Sequence, residues 1–243
     1  MSGRSSAKWA GWKNPHEPLN ASILDPEIFI RAETQVKPVP HAEDIRLHLA
    51  DEAISLWQKT EEELGALGLP PPFWAFAWAG GQALARYILD NPGIVDGKAV
   101  LDFASGSGLV GIAAMKAGAA RCMCVDLDPF AATAAQLNAK ENGVEIETVT
   151  DDITGQSVPD ADIIFSGDVF YDAAMARAVL GFLERVVETG LPVLIGDPGR
   201  SYLPRARLQL LAEYTVPVVG ALEDVDVKKS AVYRLMPPAN STT

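Results

Sequence analysis

From Lys98 onward the chain alternates short, mostly apolar runs with longer stretches of helical pattern, and this alternation constrains the fold more than any other feature. The runs at 99–103, 121–126, 145–150, 162–166 and 192–196 have strand length and are bounded by Gly, Asp or Pro. Helices are expected between them at 109–117, 129–142 and 173–188. Repeated strand–helix–strand crossovers of one hand build a parallel, doubly wound α/β sheet. The end departs from this pattern. A helix is expected at 205–211, followed by strands at 213–219 and 230–235 with only a loop between them. Such a hairpin adds antiparallel strands to one edge of the sheet.

With 243 residues there is room for one such domain and an N-terminal extension. The break is expected at Pro70-Pro71-Pro72, giving an extension over 1–70 and a main domain over 71–243. Within the extension, 1–20 is polar, 29–39 reads as extended, and 44–64 reads as a helix with Ile45, Leu49, Ile54, Leu56 and Trp57 as apolar positions. A helix over 82–89 opens the main domain and ends at Asn91-Pro92-Gly93. Hydrophobic residues make up 48% of the chain and charged ones 21%, as in a globular protein with a core. No apolar run approaches a membrane span, and the first residues lack the apolar segment of a signal peptide. The net charge of −12 argues against a nucleic-acid partner, which needs clustered Lys and Arg. Cys122 and Cys124 are expected to be unbonded and buried, on opposite faces of a strand, and the three His show no metal-ligand spacing. A cytoplasmic monomer is the expectation.

Val100-Leu101-Asp102-Phe103-Ala104-Ser105-Gly106-Ser107-Gly108-Leu109-Val110-Gly111 leaves a strand, makes a Gly-rich turn and enters a helix. Gly106, Gly108 and Gly111 fit G-x-G-x-x-G, with Asp126 twenty residues after Gly106, so a dinucleotide-dependent oxidoreductase has to be considered. Asp102 argues against it. A carboxylate at the end of the first strand would face a doubly negative pyrophosphate at the helix N-terminus. A nucleoside that carries cations instead of phosphates suits that acid. The stretch resembles motif I of Rossmann-like methyltransferases, with Ala104 in place of the first Gly. The resemblance implies S-adenosylmethionine as cofactor on a Rossmann-like seven-stranded sheet. Asp126 would then accept from both ribose hydroxyls, with Leu127 beside it, while Asp128 is better placed to cap the helix at Pro129. By the same resemblance Asp152 would accept from the adenine amino group and Ile153 would pack on the ring. Ser105, Gly106 and Gly167 would line the cofactor.

The fourth strand ends in Gly167-Asp168-Val169-Phe170-Tyr171, where sheets of this kind face their ligands. Asp168 and Tyr171 are three apart, and a single turn would put both on one face. The pattern resembles the D-x-x-Y of seven-strand lysine methyltransferases. A lysine must lose a proton before it can attack, from a reference pKa of about 10.4. Asp168 would hold the amine in line and Tyr171 would donate or accept at the rim. The blocks 72–84, Arg86-Tyr87, Asp90-Asn91-Pro92, Gly167–Asp172 and Leu194–Arg200 resemble the electron transfer flavoprotein β-subunit lysine methyltransferase family. That resemblance implies a lysine of this flavoprotein subunit as acceptor. A ribosomal-protein lysine or a small-molecule amine is the alternative. Trp78 would cover the methionine end of the cofactor. Phe73, Trp74 and Phe170 would contact substrate, although an aromatic run before a helix also reads as core for Trp74 and Phe76. Asp197-Pro198-Gly199-Arg200 is either a substrate loop or a structural turn with a local Asp–Arg pair.

Overall fold

The computed structural model describes residues 25–50, 70–157, 160–218 and 227–238. Its elements are α1 (Pro26–Glu33), β1 (Gln35–Val39), β2 (Ala42–Leu49), a 3-10 turn (Phe73–Ala75), α2 (Ala79–Asp90), β3 (Ala99–Phe103), α3 (Leu109–Lys116), β4 (Arg121–Asp126), α4 (Pro129–Glu141), β5 (Glu147–Thr150), β6 (Ile163–Gly167), α5 (Ala173–Glu188), β7 (Val193–Asp197), β8 (Leu208–Pro217) and β9 (Val227–Leu235). A seven-stranded sheet has the order β5-β4-β3-β6-β7-β9-β8. Strands β5 to β7 in that order are parallel, while β9 runs antiparallel to both β7 and β8. This is the expected α/β sheet with its edge hairpin. Chain order reverses direction between β3 and β6, which makes their carboxyl ends the switch point where such sheets bind ligands.

Apolar cores form on both faces of the sheet. On one, α5 buries Val179, Phe182, Leu183 and Val186 against Leu101, Ile164 and Ile195. On the other, Leu84 and Ile88 of α2 and Ile112 of α3 pack with Val100, Phe165, Leu194 and Val232. The contacts there are close enough to need glycine. A Cβ on Gly80 would run into the Gly196 carbonyl, and one on Gly196 into the Gly80 carbonyl, so α2 rests directly on β7. A Cβ on Gly111 would lie 2.6 Å from Cys124 Sγ and 2.9 Å from Cys122 Sγ. Gly111→Ala is therefore expected to lower stability by about 2 kcal/mol through overpacking, measured as the urea midpoint. A wild-type midpoint would show that α3 can lift off β4 without penalty. Both thiols are free and buried, but they share a face, because residues i and i+2 of a strand point the same way. The expectation of opposite faces was an error of alternation.

Three further expectations are corrected. Residues 29–33 are helical, not extended, because Asp25 Oδ1 accepts from the Glu27 amide and Pro26 opens the first turn. Residues 44–49 belong to β2, paired antiparallel with β1, and the rest of the expected helix, 51–64, lies outside the described residues. In place of a helix at 205–211, a 3-10 turn over Arg205–Arg207 leads straight into β8.

The β1–β2 hairpin is bound into the body. Ile45 and Leu47 join the core of α2 and α3, and Phe29 and Trp74 pack on Phe130 of α4. Asn138 of α4 is fully buried and bonds in two directions. Its Oδ1 accepts from the His48 amide at 2.7 Å, and its Nδ2 donates to the Ser107 carbonyl at 2.9 Å. One side chain thus ties the hairpin to the Gly-rich turn.

Candidate active site

The Gly-rich turn after β3 is pinned on both sides. The Ser105 amide donates to the Val125 carbonyl at 3.0 Å, and Gly108 closes the turn onto the Ser105 carbonyl at 2.8 Å. Ala104 sits at φ 55, a left-handed conformation that suits glycine better, so the family-like Gly is replaced at a position that does strain it. Nothing lies within 4 Å of a Cβ placed on Gly106, and the turn presents an open backbone face there.

Asp126 ends β4 beside this face. Its Oδ2 accepts from the Gly106 amide at 2.8 Å and its Oδ1 from the Asp128 amide at 3.0 Å. Each oxygen keeps a further lone pair, and a vicinal diol matches that pair of acceptors. Leu127 is 41% exposed next to it, an apolar platform at the mouth of the crevice. Asp128 caps α4 by accepting from the Phe130 amide at 2.8 Å. Ile153 is buried at the edge of the core and Gly167 is half-buried against Gly81. Asp152 is exposed, with Oδ1 engaged by the Thr154 amide and hydroxyl at 2.8 and 2.6 Å.

Asp102 is oriented inward. It is 1% exposed, and Oδ2 accepts from the Gly111 amide at 2.8 Å, so it caps α3 from beneath the turn. A pyrophosphate would meet a helix N-terminus whose Gly111 amide is already taken. Burial pushes its carboxyl up to about 8, partly opposed by the Gly111 amide and reinforced by Asp126. Burial likewise raises Asp128 to about 7 and Asp197 to about 6. Carboxyls raised above their ordinary 3.8 favour the fold fully below that pH, and the contribution is lost as pH rises through the folded values. The melting temperature without ligand should therefore fall from about pH 4 up to about pH 8, and Asp102→Asn should flatten that fall. A profile equally steep in the variant would contradict the assignment to Asp102.

The acceptor side is organised around Asp168, which is buried and sits at φ 56. Its Oδ2 accepts from the Gly80 amide, and from Gly81 at 3.3 Å, so it caps α2. Its Oδ1 accepts from Arg200 Nε at 2.9 Å and Nη2 at 2.6 Å. The helix at Ala173 is capped by Asp172, through the Ala174 and Met175 amides. Asp197 Oδ1 accepts from the amides of Gly199 and Arg200 at 2.6 and 2.7 Å, which shapes the loop that delivers the Arg200 side chain to Asp168. The local Asp197–Arg200 pairing is thus through backbone.

Trp78 lies under this cluster. Its Nε1 donates to the Phe73 carbonyl at 2.9 Å, and the Arg200 guanidinium stands 5.8 Å from its ring centre. Phe73 is half-buried and packs on Trp78 and on Tyr171, with ring centres 5.9 and 5.6 Å apart. Tyr171 is 41% exposed, and partial burial, with Asp126 and Asp172, pushes its pKa up to about 12. It therefore stays a protonated donor at neutral pH. A cleft of ≈ 340 Å³ opens beside it, lined by Tyr171, Pro198, Gly199, Arg200, Ser201 and Lys228.

Asp168, at φ 56, bonds the α2 amides and Arg200, while Tyr171 packs on Phe73 and lines the cleft beside Arg200. Two expected substrate contacts are corrected. Trp74 is 2% exposed and stacks on Phe130, and Phe170 is fully buried in the core under α5, so both are packing residues. Sequence reasoning missed the Asp168–Arg200 pair and the Asn138 strut. The second left a signal, an Asn on the otherwise apolar face formed by Ala131, Ala134 and Ala135.

The model for ribosomal protein L11 methyltransferase (PrmA) matches residues 83–176. The electron transfer flavoprotein beta subunit lysine methyltransferase of Xenopus laevis is 35% identical over 227 residues, covering 91% of this chain and 91% of its own. The Mus musculus protein of the same name is 37% identical over 225 residues, covering 89% of this chain and 87% of its own. Among solved structures, Pyrococcus horikoshii protein PH1948 superposes with a TM-score of 0.53 at 17% identity, covering 74% of this chain and 98% of its own, a likeness of fold.

Proposed function

The chain belongs to the electron transfer flavoprotein β-subunit lysine methyltransferase family and is an S-adenosylmethionine-dependent protein-lysine N-methyltransferase, and we propose that its substrate is the β subunit of electron transfer flavoprotein. The shared name of relatives that align over nine-tenths of the chain carries this reading. The crevice at the switch point fits the cofactor: an open backbone face at Gly106, paired acceptors on Asp126, and a capped α3 that disfavours phosphate. Asp126 would hold the ribose hydroxyls. Leu127, Ile153 and the second oxygen of Asp152 would hold the adenine. The backbone of Ala104, Ser105, Gly106 and Gly167 would follow the methionine portion, with Asp102 acting from beneath and Trp78 as its cover.

Bound there, S-adenosylmethionine supplies a methyl group on a positively charged sulfur, which leaves with the C–S bonding pair as the lysine nitrogen's lone pair forms the new N–C bond. The protein's own part is orientation and desolvation. Phe73 and Trp78 form apolar walls that exclude water from the amine, and Tyr171 donates a hydrogen bond at the rim. Asp168 fixes the N-terminus of α2 and the Arg200 side chain on which this arrangement rests.

Among the described residues no helix is long and apolar enough to cross a membrane. We further read the protein as a cytoplasmic monomer without a nucleic-acid partner, with residues 1–70 as an extension of a methyltransferase domain over 71–243; two unbonded thiols suit a reducing compartment. The test is mass spectrometry of purified flavoprotein after incubation with the chain and cofactor. Methyl increments on β-subunit lysines are expected. An unmodified subunit, with methyl transfer only to ribosomal proteins or small amines in a lysate, would reject the substrate.

A further inference from the structure

The Gly-rich turn is held from α4 as well as from within. Ser107 is buried, and its carbonyl lies outside the α3 ladder, because the Gly111 amide that would close a helical bond onto it is given to Asp102. That carbonyl accepts instead from Asn138 Nδ2 at 2.9 Å. One turn earlier on the same face of α4, Ala135 meets the next residue of the turn: a Cβ on Gly108 would lie 2.8 Å from the Ala135 Cβ. The turn therefore rests directly on α4. Asn138 is itself oriented from the far side, since its Oδ1 accepts from the His48 amide at 2.7 Å. Flipping the side-chain amide would set its NH2 against the His48 N–H and its oxygen against the Ser107 carbonyl, so only one orientation is allowed.

We propose that Asn138 is a positioning residue for cofactor binding: its side-chain amide sets the Ser107–Gly108 peptide, and with it the backbone face that the turn offers to the nucleoside, using the β1–β2 hairpin as its anchor. This rests on the reading of the Gly106 turn as the cofactor site. Gly106 and Gly108 take φ 51 and 75, and glycine by itself gives the chain little preference for those values. Bonds from outside the turn select them. Asp126 fixes the Gly106 amide from β4, and Asn138 fixes the Ser107 carbonyl from α4. A turn held from both sides is ordered when the chain folds, so its ordering does not count against binding. Asn142, at the end of α4, supplies the contrast. It ties the same hairpin to the same helix, with Oδ1 accepting from the Arg46 amide at 3.0 Å and Nδ2 donating to the Arg46 carbonyl at 2.6 Å and the Asn138 carbonyl at 2.7 Å, all away from the turn.

Asn138→Leu has a similar size without either polar group, and leaves the Ser107 carbonyl buried without its donor. In calorimetric titration of the full chain it should weaken adenosylhomocysteine binding roughly tenfold. The KM for S-adenosylmethionine should rise in parallel, while kcat at saturating cofactor stays within about twofold of wild type. Asn142→Ala should lower the urea midpoint and keep the wild-type dissociation constant. A folded Asn138→Leu with a lowered midpoint and an unchanged constant would overturn the proposal and leave Asn138 a strut of the fold. So would an equal weakening in Asn142→Ala, which would trace the effect to the hairpin as a whole. The wild-type chain gives a second test that does not depend on a variant folding. In NMR spectra recorded during adenosylhomocysteine titration, the Asn138 side-chain amide should shift together with the Gly106 backbone amide. An Asn138 signal that stays in place while Gly106 moves would overturn the proposal. A bound nucleoside that leaves Gly106 unmoved would instead defeat the placement of the cofactor on this turn.

Discussion

Asp168→Ala is expected to lose about a hundredfold in methyl transfer and about 3 kcal/mol in stability together. The transfer loss follows from displacement of the acceptor walls, since about 1 Å of misplacement can cost that much. The stability loss follows from breaking a largely buried ion pair from one side, which takes the Asp168 carboxylate from Arg200 and uncaps α2 at once. Rates from labelled cofactor and a urea titration of the same sample measure both. A variant that loses transfer at unchanged stability would mean that Asp168 touches the amine directly and that its bonds to Arg200 and α2 matter little.

Asp126→Ala should raise the dissociation constant of adenosylhomocysteine about a hundredfold. Two ribose hydroxyls lose a charged acceptor, at roughly 1.5 kcal/mol each. The Gly106 amide also loses its anchor at 2.8 Å, so the turn loosens in the same variant. Asp126→Asn keeps one acceptor oxygen and should fall between the two. Calorimetric titration reads the constants; an unchanged value for Asp126→Ala would remove the ribose from this residue.

The parallel sheet was legible because its strands announce themselves at both ends: an apolar run, then an acid or glycine at the carboxyl end, as at Asp102, Asp126 and Gly167. The hairpin at β1–β2 was not. Ile45, Leu47 and Leu49 fit a period of two, while Ile45 and Leu49 also fit a helix, and the bonds that decide come from Asn138 and Asn142 some ninety residues away. Leu208, Gln209 and Leu210 are good helix formers, overruled by pairing with β9. At the site, the cofactor side is local in sequence, so the spacing from Gly106 to Asp126 sufficed. The acceptor side is assembled from β6, β7 and the N-terminus of α2. Nothing in the order of residues shows that Asp168 adopts a positive φ, faces α2 and meets an arginine 32 positions on. Trp74 and Phe170 show the converse: aromatic residues beside the site in sequence, but turned into the core by the elements that cover them.

The most direct test of the account is a crystal structure of the chain grown with adenosylhomocysteine. The ribose diol should lie on the Asp126 carboxylate with the sulfur directed toward Phe73, Trp78 and Tyr171, and Arg200 should remain on Asp168. A nucleoside bound away from the carboxyl ends of β3 and β4, or one whose sulfur faces the opposite wall, would contradict it.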